Sequence, residues 1–382
     1  MKKEPVTSAK FYALNSIDFT QTMFFVQSVQ IGIALFSLPR LVSEEAGHSG
    51  WIAILIAGSI TQLSVLILFV LARRFQDQDV YGIINRLFGR WVGNLLGFCF
   101  ALYCILIAAD VSRSYIEVVQ QWLFPVSSKA LFFLLLLMPI TYCALGGARV
   151  LGRFAVLTFF ATAWMVLFLI VPLQEIHTDY YQPVFEFEWS GLMRATYKVS
   201  ASMVGFELML AIYPFIQNKK KALLATSIGI WSTTLLYLVV VLIAVGFYSQ
   251  DQIKNIVSPT LTLFKIITLP LAERIEHFGI STWSFLIVST AATYLWAAGR
   301  FVTQLKRWNP AFSTLIFVPL LFLLGVYPRD MQMLTKFEEI GAMIGCVVSL
   351  FFPLFLLLVA ILFRKRAERR QQEEDSKGVE AS

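Results

Sequence analysis

Apolar residues in this chain neither alternate with polar ones at a strand period nor keep to one stripe of a helix. They come in runs of roughly twenty residues, each long enough to cross a hydrocarbon core as a helix. The runs lie near residues 18–41, 51–73, 91–121, 130–145, 150–172, 190–217, 222–248, 279–301, 310–328 and 341–363. Most lack the polar face that a soluble helix presents at a 3.6-residue period. The pattern predicts an all-α polytopic membrane protein with about ten transmembrane helices. The first run ends in Pro39-Arg40 with no small-residue cleavage site, so it reads as a span and not as a removed signal peptide.

Two of the runs carry interruptions. The first contains Gln30-Ile31-Gly32-Ile33-Ala34, and the sixth contains Val204-Gly205-Phe206-Glu207 followed by Pro214. Paired Gly-interrupted segments at corresponding positions of two halves point to a binding site near the bilayer midplane. Backbone freed by such a break must face a ligand, an ion or other protein, because lipid cannot satisfy it. Five spans per half force the second half upside down relative to the first. The expected organisation is a cytosolic N-terminus (1–17), a first five-helix repeat (18–172) and an outer loop (173–189). A second, inverted repeat (190–363) and a disordered cytosolic tail (364–382) complete it. Between the seventh and eighth spans, Pro259 to Glu276 reads as two short helices around Pro270, a candidate outer lid. Val80 to Leu87 mixes apolar residues with Asn85 and Arg86 and suits a helix lying along the interface.

Composition agrees: 58% of residues are hydrophobic and 14% charged, with a mean hydropathy of +0.71. The net charge of +7 does not suggest nucleic acid, because the basic residues sit at alternate span ends. Lys2, Lys3, Lys10, Arg73, Arg74, Arg149, Arg153, Lys219 to Lys221, Arg300 and Arg364 to Arg366 mark one side; Glu44, Glu45, Glu175, Glu186, Glu338 and Glu339 mark the other. Lys/Arg excess marks the cytoplasmic face, so both termini are expected in the cytosol. Cys99, Cys104, Cys143 and Cys346 fall inside spans without metal-ligand spacing. There is no phosphate loop, dinucleotide fingerprint or nucleophile elbow, so an enzyme reading has no residue to rest on, and no metal or cofactor is expected.

The candidate binding residues follow from the breaks. Gly32 lets a ligand approach the backbone closely. A half-helix starting near Ile33 and Ala34 would aim free N–H groups at an anion such as a carboxylate. The carbonyls ending the preceding half-helix, at Gln30 and Ile31, would suit an ammonium group or a cation. A continuous span with a small-residue packing spot would carry the same glycine. Glu207 is the acidic residue deep in the sixth span, beside Gly205 and Phe206, and an intramembrane carboxylate is costly. Three roles fit it: ligand ammonium partner, proton relay, or latch for loosened backbone. Tyr103, Ile107 and Ala108 of the third span are placed to line a pocket. Asp110, Arg113 and Glu117 share a face farther out, where a protruding helix with ordinary salt bridges accounts for them and an outer gate is the alternative. On the eighth span Ser289 and Thr290 could hold a cation and Thr293 could join the ligand site, although such hydroxyls often bond their own helix. Gly89, Gly93 and Gly97 form a ridge for close helix packing.

The opening "QIGIALFSLPR…EEAGHSGWI", the "VGFE…YP" of the sixth span followed by three lysines, and "SPTLTLFK" resemble the B subunit of nutrient germinant receptors of spore-forming bacteria. That family belongs to the amino acid–polyamine–organocation transporter superfamily. The resemblance covers essentially the whole chain. It implies a leucine-transporter-like fold in the inner membrane of the spore, and a nutrient-sensing role beside a larger membrane A subunit and a C lipoprotein. The residues around Gly32, the Gly205-Phe206 break and the facing third and eighth helices would then form the pocket for a small nutrient, most simply an amino acid. A proton- or cation-coupled amino acid permease and an ion or water conduit are the competing functions on the same fold. The fifth span has no lysine of the kind some proton-coupled relatives use, which weighs against the permease.

Overall fold

The computed structural model describes residues 15–183, 185, 187–267 and 274–363. The N-terminal residues 1–14, Pro270 at the centre of the expected lid, and the tail expected to be disordered lie outside the described residues. Six helices are long and apolar enough to cross a membrane: Leu38–Arg74, Val80–Trp122, Gly147–Leu173, Lys219–Phe247, Ile275–Lys306 and Met331–Phe363. The expected spans missing from that set are the two interrupted ones, which are indeed split, and the short fourth and ninth, Lys129–Leu145 and Pro310–Val326. The protein is an all-α, multi-pass integral membrane protein.

In chain order the elements are α1 (Phe19–Gln30), α2 (Leu38–Ala46), α3 (Gly50–Arg74), α4 (Val80–Trp122), α5 (Lys129–Leu145) and α6 (Gly147–Phe168). After the loop come α7 (Trp189–Ser202), α8 (Met209–Ile212), α9 (Lys219–Phe247), α10 (Gln250–Asn255) and α11 (Pro259–Phe264). Then follow α12 (Ile275–Lys306), α13 (Pro310–Leu315), α14 (Val318–Val326) and α15 (Met331–Cys346), whose span continues to Phe363. α1 and α2 are the halves of the first broken span; α7 and α8 belong to the second. Asp18 caps α1 through a reciprocal box with Gln21 (2.8 and 3.2 Å), which fixes where the first span begins. Pro39 in the first turn of α2 needs no N–H partner and so suits a helix that restarts there.

The end of the bundle where the chain enters at Ile17 is called proximal here, and the other end distal. α12 is the central helix: 89% of its most apolar window is buried, against 22% for the α6 segment. It packs along α4, and α1 lies against α6, α9 and α12. α11 forms over the first half of the expected lid segment and covers the first break, where Thr260 donates to the Leu35 carbonyl at 2.9 Å.

The apolar face of Val80 to Leu87 packs on protein: Val80, Tyr81, Ile83 and Ile84 are buried, and the Tyr81 hydroxyl donates to Ala297 O at 2.8 Å. Two expectations change. Gly89 is a turn and not a packing position, since its φ of 76° separates this first stretch of α4 from the span proper. Arg113 is not on an ordinary protruding face. It is 1% exposed, pairs with Glu117 at 2.7 Å and donates to Pro328 O at 3.3 and 3.4 Å. Burying a guanidinium demands such a full set of partners.

At the proximal end Asp79 caps α4 through Gly82 N (3.1 Å) and is wholly buried. Its Oδ2 accepts from Arg300 Nε and Nη2 (3.1 and 2.8 Å), its Oδ1 from Gln304 Nε2 (2.9 Å), and Arg300 also faces the Phe215 ring at 5.5 Å. One carboxylate thus joins the start of α4, the end of α12 and the end of the second broken span. Asp79→Ala removes both the cap and a buried counter-charge, a change costing about 3–5 kcal/mol in other proteins. We expect Asp79→Ala to lose most of its monodisperse fraction after mild heating in detergent, and Asp79→Asn, which keeps a cap oxygen, to lose less. Equal heat resistance of Asp79→Ala and the unmodified protein would remove this contact from the stability of the bundle.

Candidate functional site

The first break is an extended pair, Ile31 (φ −77°, ψ 99°) and Gly32 (φ −110°, ψ −164°), followed by a 3-10 turn over Ile33–Phe36. The second follows Ser202: Gly205 adopts φ +125°, a conformation that L side chains rarely take, and leads into a 3-10 turn over Phe206–Leu208. The two breaks touch. A Cβ on Gly205 would stand 2.7 Å from the Val29 carbonyl oxygen, so the glycine permits both the turn and the close approach.

Side chains then supply what helical neighbours no longer provide. Gln30 donates its amide N–H to Met203 O at 3.0 Å, linking one break to the other. The Tyr237 hydroxyl, from the middle of α9, lies 3.0 Å from Gln30 O and 3.1 Å from Ser202 O, the terminal carbonyls of α1 and α7. Having one proton, it donates to one of them at a time. Gln30 and Tyr237 are both buried, as this role requires.

Glu207 is wholly buried and fully engaged. Its Oε1 accepts from the hydroxyls of Tyr103 and Tyr294, each at 2.7 Å, and its Oε2 accepts from the Gly205 backbone N–H at 2.8 Å. The tyrosine rings meet edge to face with centroids 6.1 Å apart. Three donors converge on one carboxylate, joining α4, α12 and the second break. Of the three roles open in the sequence, the geometry is that of a latch.

The eighth-span hydroxyls divide. Thr290 donates to Ser28 O at 2.9 Å and Ser289 to Ser28 Oγ at 3.2 Å, tying α12 to α1 two residues before Gln30. Thr293 donates to Ser289 O at 2.7 Å, within its own helix. Ile107 and Ala108 are buried in α4. Gly32, Ile33 and Ala34 keep part of their surface, and a Cβ built on Gly32 meets no atom within 4 Å. Open space therefore lies at the first break, beside Gly32, while Tyr103, Phe206 and Glu207 are closed in a packed layer. Tyr237, Tyr294 and Ser28 were not singled out in the sequence. A tyrosine at mid-span is a signal that could have found the first two, because its hydroxyl needs a partner there.

The half-helices are also held together at their far ends. Distally, Glu45 of α2 pairs with Arg194 (2.6 Å) and Lys198 (2.7 Å) of α7. Proximally, Ile17 N donates to Phe215 O (2.9 Å) and Gln217 N to Ile17 O (3.0 Å). Among the described residues no cluster of His, Cys, Asp and Glu could hold a metal ion.

Paired, interrupted spans recur in secondary transporters, and comparison with known proteins is more specific. The family model described as spore germination protein, the spore permeases, matches residues 16–334, which include both breaks. The chain belongs to this family. Spore germination protein GerQB of Bacillus cereus is 24% identical over 336 residues, covering 88% of this chain and 93% of its own length. Spore germination protein B2 of Bacillus subtilis (strain 168) is 25% identical over 330 residues, 83% of this chain and 88% of its own. Spore germination protein A2 of the same strain is 22% identical over 352 residues, 91% and 95% respectively.

Glu207→Leu would leave two tyrosine hydroxyls and a backbone N–H without their acceptor, at about 1–3 kcal/mol each. We expect this variant to be depleted from spore membranes. Glu207→Gln should keep near-normal protein level and germination rate, since its amide can still accept and donate within the same site. Glu207→Asp, one methylene short, should fall between. A Gln variant at normal level but without nutrient response would show that charge at this position matters beyond the latch.

Proposed function

We propose that this protein is the nutrient-sensing subunit of a spore germinant receptor and that a small nutrient, most simply an amino acid, binds at the first break. Membership of the spore germination family supports the biological setting. The single observation that carries the binding site is the unfilled space beside Gly32, where interrupted backbone is accessible at the meeting point of the two broken spans. Gln30 to Ala34 would provide the backbone groups, with Ile107, Ala108, Gly205 and Phe206 shaping the wall behind them. Glu207, Tyr103 and Tyr294 would hold that wall in place, and Ser289, Thr290 and Thr293 would brace the first span from α12.

In this reading the chain sits in the inner membrane with both termini in the cytosol, as its basic flanks favour. Residues 18–172 and 190–363 form two five-helix halves of opposite orientation. The protein acts beside an A-type membrane subunit and a C-type lipoprotein, as the resemblance of its motifs implies. A coupled amino acid permease would use the same architecture, so uptake separates the two. Concentrative uptake of labelled amino acids by purified protein in liposomes would overturn the receptor reading. Deleting the gene and scoring germination nutrient by nutrient identifies what is sensed.

Gly32→Leu should abolish the response to that nutrient while protein level in spore membranes stays near normal, because a Cβ at this position points into open space. A normal response at ordinary nutrient concentration would make Gly32 a packing glycine and move the site elsewhere.

A further inference from the structure

Away from both breaks, α3 and α9 form a pair of their own. They run antiparallel: Gln62 donates to Ser227 Oγ at 3.0 Å, and a Cβ on the earlier Gly58 would stand 2.7 Å from the later Thr234. At the proximal end of the pair lies a recess of about 710 Å³. Arg73 of α3, Tyr213 of the second broken span, and Lys219 and Lys220 of α9 help to line it, and among the described residues no Asp or Glu does. Lys219 is already engaged, with Gln76 O at 2.6 Å, Asp77 at 3.2 Å and the Tyr213 ring at 5.8 Å. Arg73 and Lys220 are exposed and form no ion pair with any described residue. Two uncompensated cations lining one concavity attract an anion.

The outward surface of the same two helices defines the anion further. Leu63, Leu66 and Val70 follow Gln62 by one, four and eight positions, and Ile228, Trp231 and Leu235 follow Ser227 by the same steps. All six are between 38% and 60% exposed. Equal steps from a shared contact turn the two stripes to the same side of an antiparallel pair. Arg73 continues the α3 stripe three residues past Val70; Lys220 begins the α9 stripe, which runs through exposed Leu224 to Ile228. In a membrane-spanning bundle such stripes face acyl chains. Each helix thus carries a cation at the head of a hydrocarbon-facing strip, and the complement of that pattern is an amphiphile with an anionic head.

We propose that the recess binds the phosphate of an anionic phospholipid of the proximal leaflet, with Arg73 and Lys220 as its charge partners and the acyl chains over the two stripes. A zwitterionic headgroup would bring an ammonium group that finds no carboxylate in the recess. Bound there, the lipid ties the end of α3 to the start of α9 beside Tyr213, at the proximal end of the second broken span. The site stands whether the protein senses its solute or transports it.

Native mass spectrometry of the full-length protein, purified in detergent and stripped of lipid, tests this. Phosphatidylglycerol is the probe and phosphatidylcholine with the same acyl chains the control. We expect one phosphatidylglycerol to be held in preference to phosphatidylcholine. Arg73→Gln combined with Lys220→Gln should weaken that binding roughly tenfold to thirtyfold, the ratio two cations at a membrane surface supply. Arg149→Gln combined with Arg153→Gln removes the same charge from exposed positions at the proximal end but outside the recess, and should leave it unchanged. Both double variants replace exposed side chains and are checked for unchanged monodispersity. Equal retention of the two lipids, or equal loss in the two double variants, would overturn the site. Displacement of phosphatidylglycerol by glycerol phosphate at matched concentration would show that the recess takes a free phosphate, and would overturn the lipid assignment.

Discussion

Interrupting a helix inside a membrane frees backbone groups that lipid cannot satisfy, and the centre of this protein is organised around that constraint. Two spans are broken at the same depth and placed in contact, so one set of side chains serves both. Gln30 crosses to Met203, Tyr237 serves the carbonyls of Gln30 and Ser202, and Glu207 takes the N–H of Gly205. Each of these groups is then held by packing on several sides, which explains why the polar centre coincides with the most buried helix, α12. Thr290 adds a further tie from that helix to Ser28.

The half-helices follow as coupled pairs. α2 and α7 share the Glu45 ion pairs, and the approach at Gly191 is so close that a side chain there would meet the Glu45 carbonyl. On the other side, α1 and the end of the second span share the Ile17 backbone contacts, with Asp79 and Arg300 beneath them. The distal ion pairs are partly exposed and individually weak, whereas the Asp79 network is buried.

Much of this was legible in the sequence. The all-α membrane class, the place of the apolar runs, both breaks and a costly carboxylate at Glu207 follow from the length of apolar runs and from the cost of glycine and carboxylate inside a membrane. The partners were not legible. Tyr103 looked like pocket lining, but Tyr294 lies 87 positions from Glu207 and Tyr237 lies 207 positions from Gln30 along the chain, where no local pattern announces a shared contact. Arg300 counted as one more basic flank residue because its buried partner, Asp79, precedes it by 221 positions.

The hydroxyl of Tyr237 stands 207 residues beyond the Gln30 carbonyl it serves. A ribosome feeding this chain into the membrane delivers the first span long before α9 exists. Until then that span has no Tyr237 and no Met203 to meet its loosened groups, and its lowest-cost state in lipid is a continuous helix through Gly32. The break is thus a late event in biogenesis: the first span enters whole and opens only when the second broken span and α9 arrive.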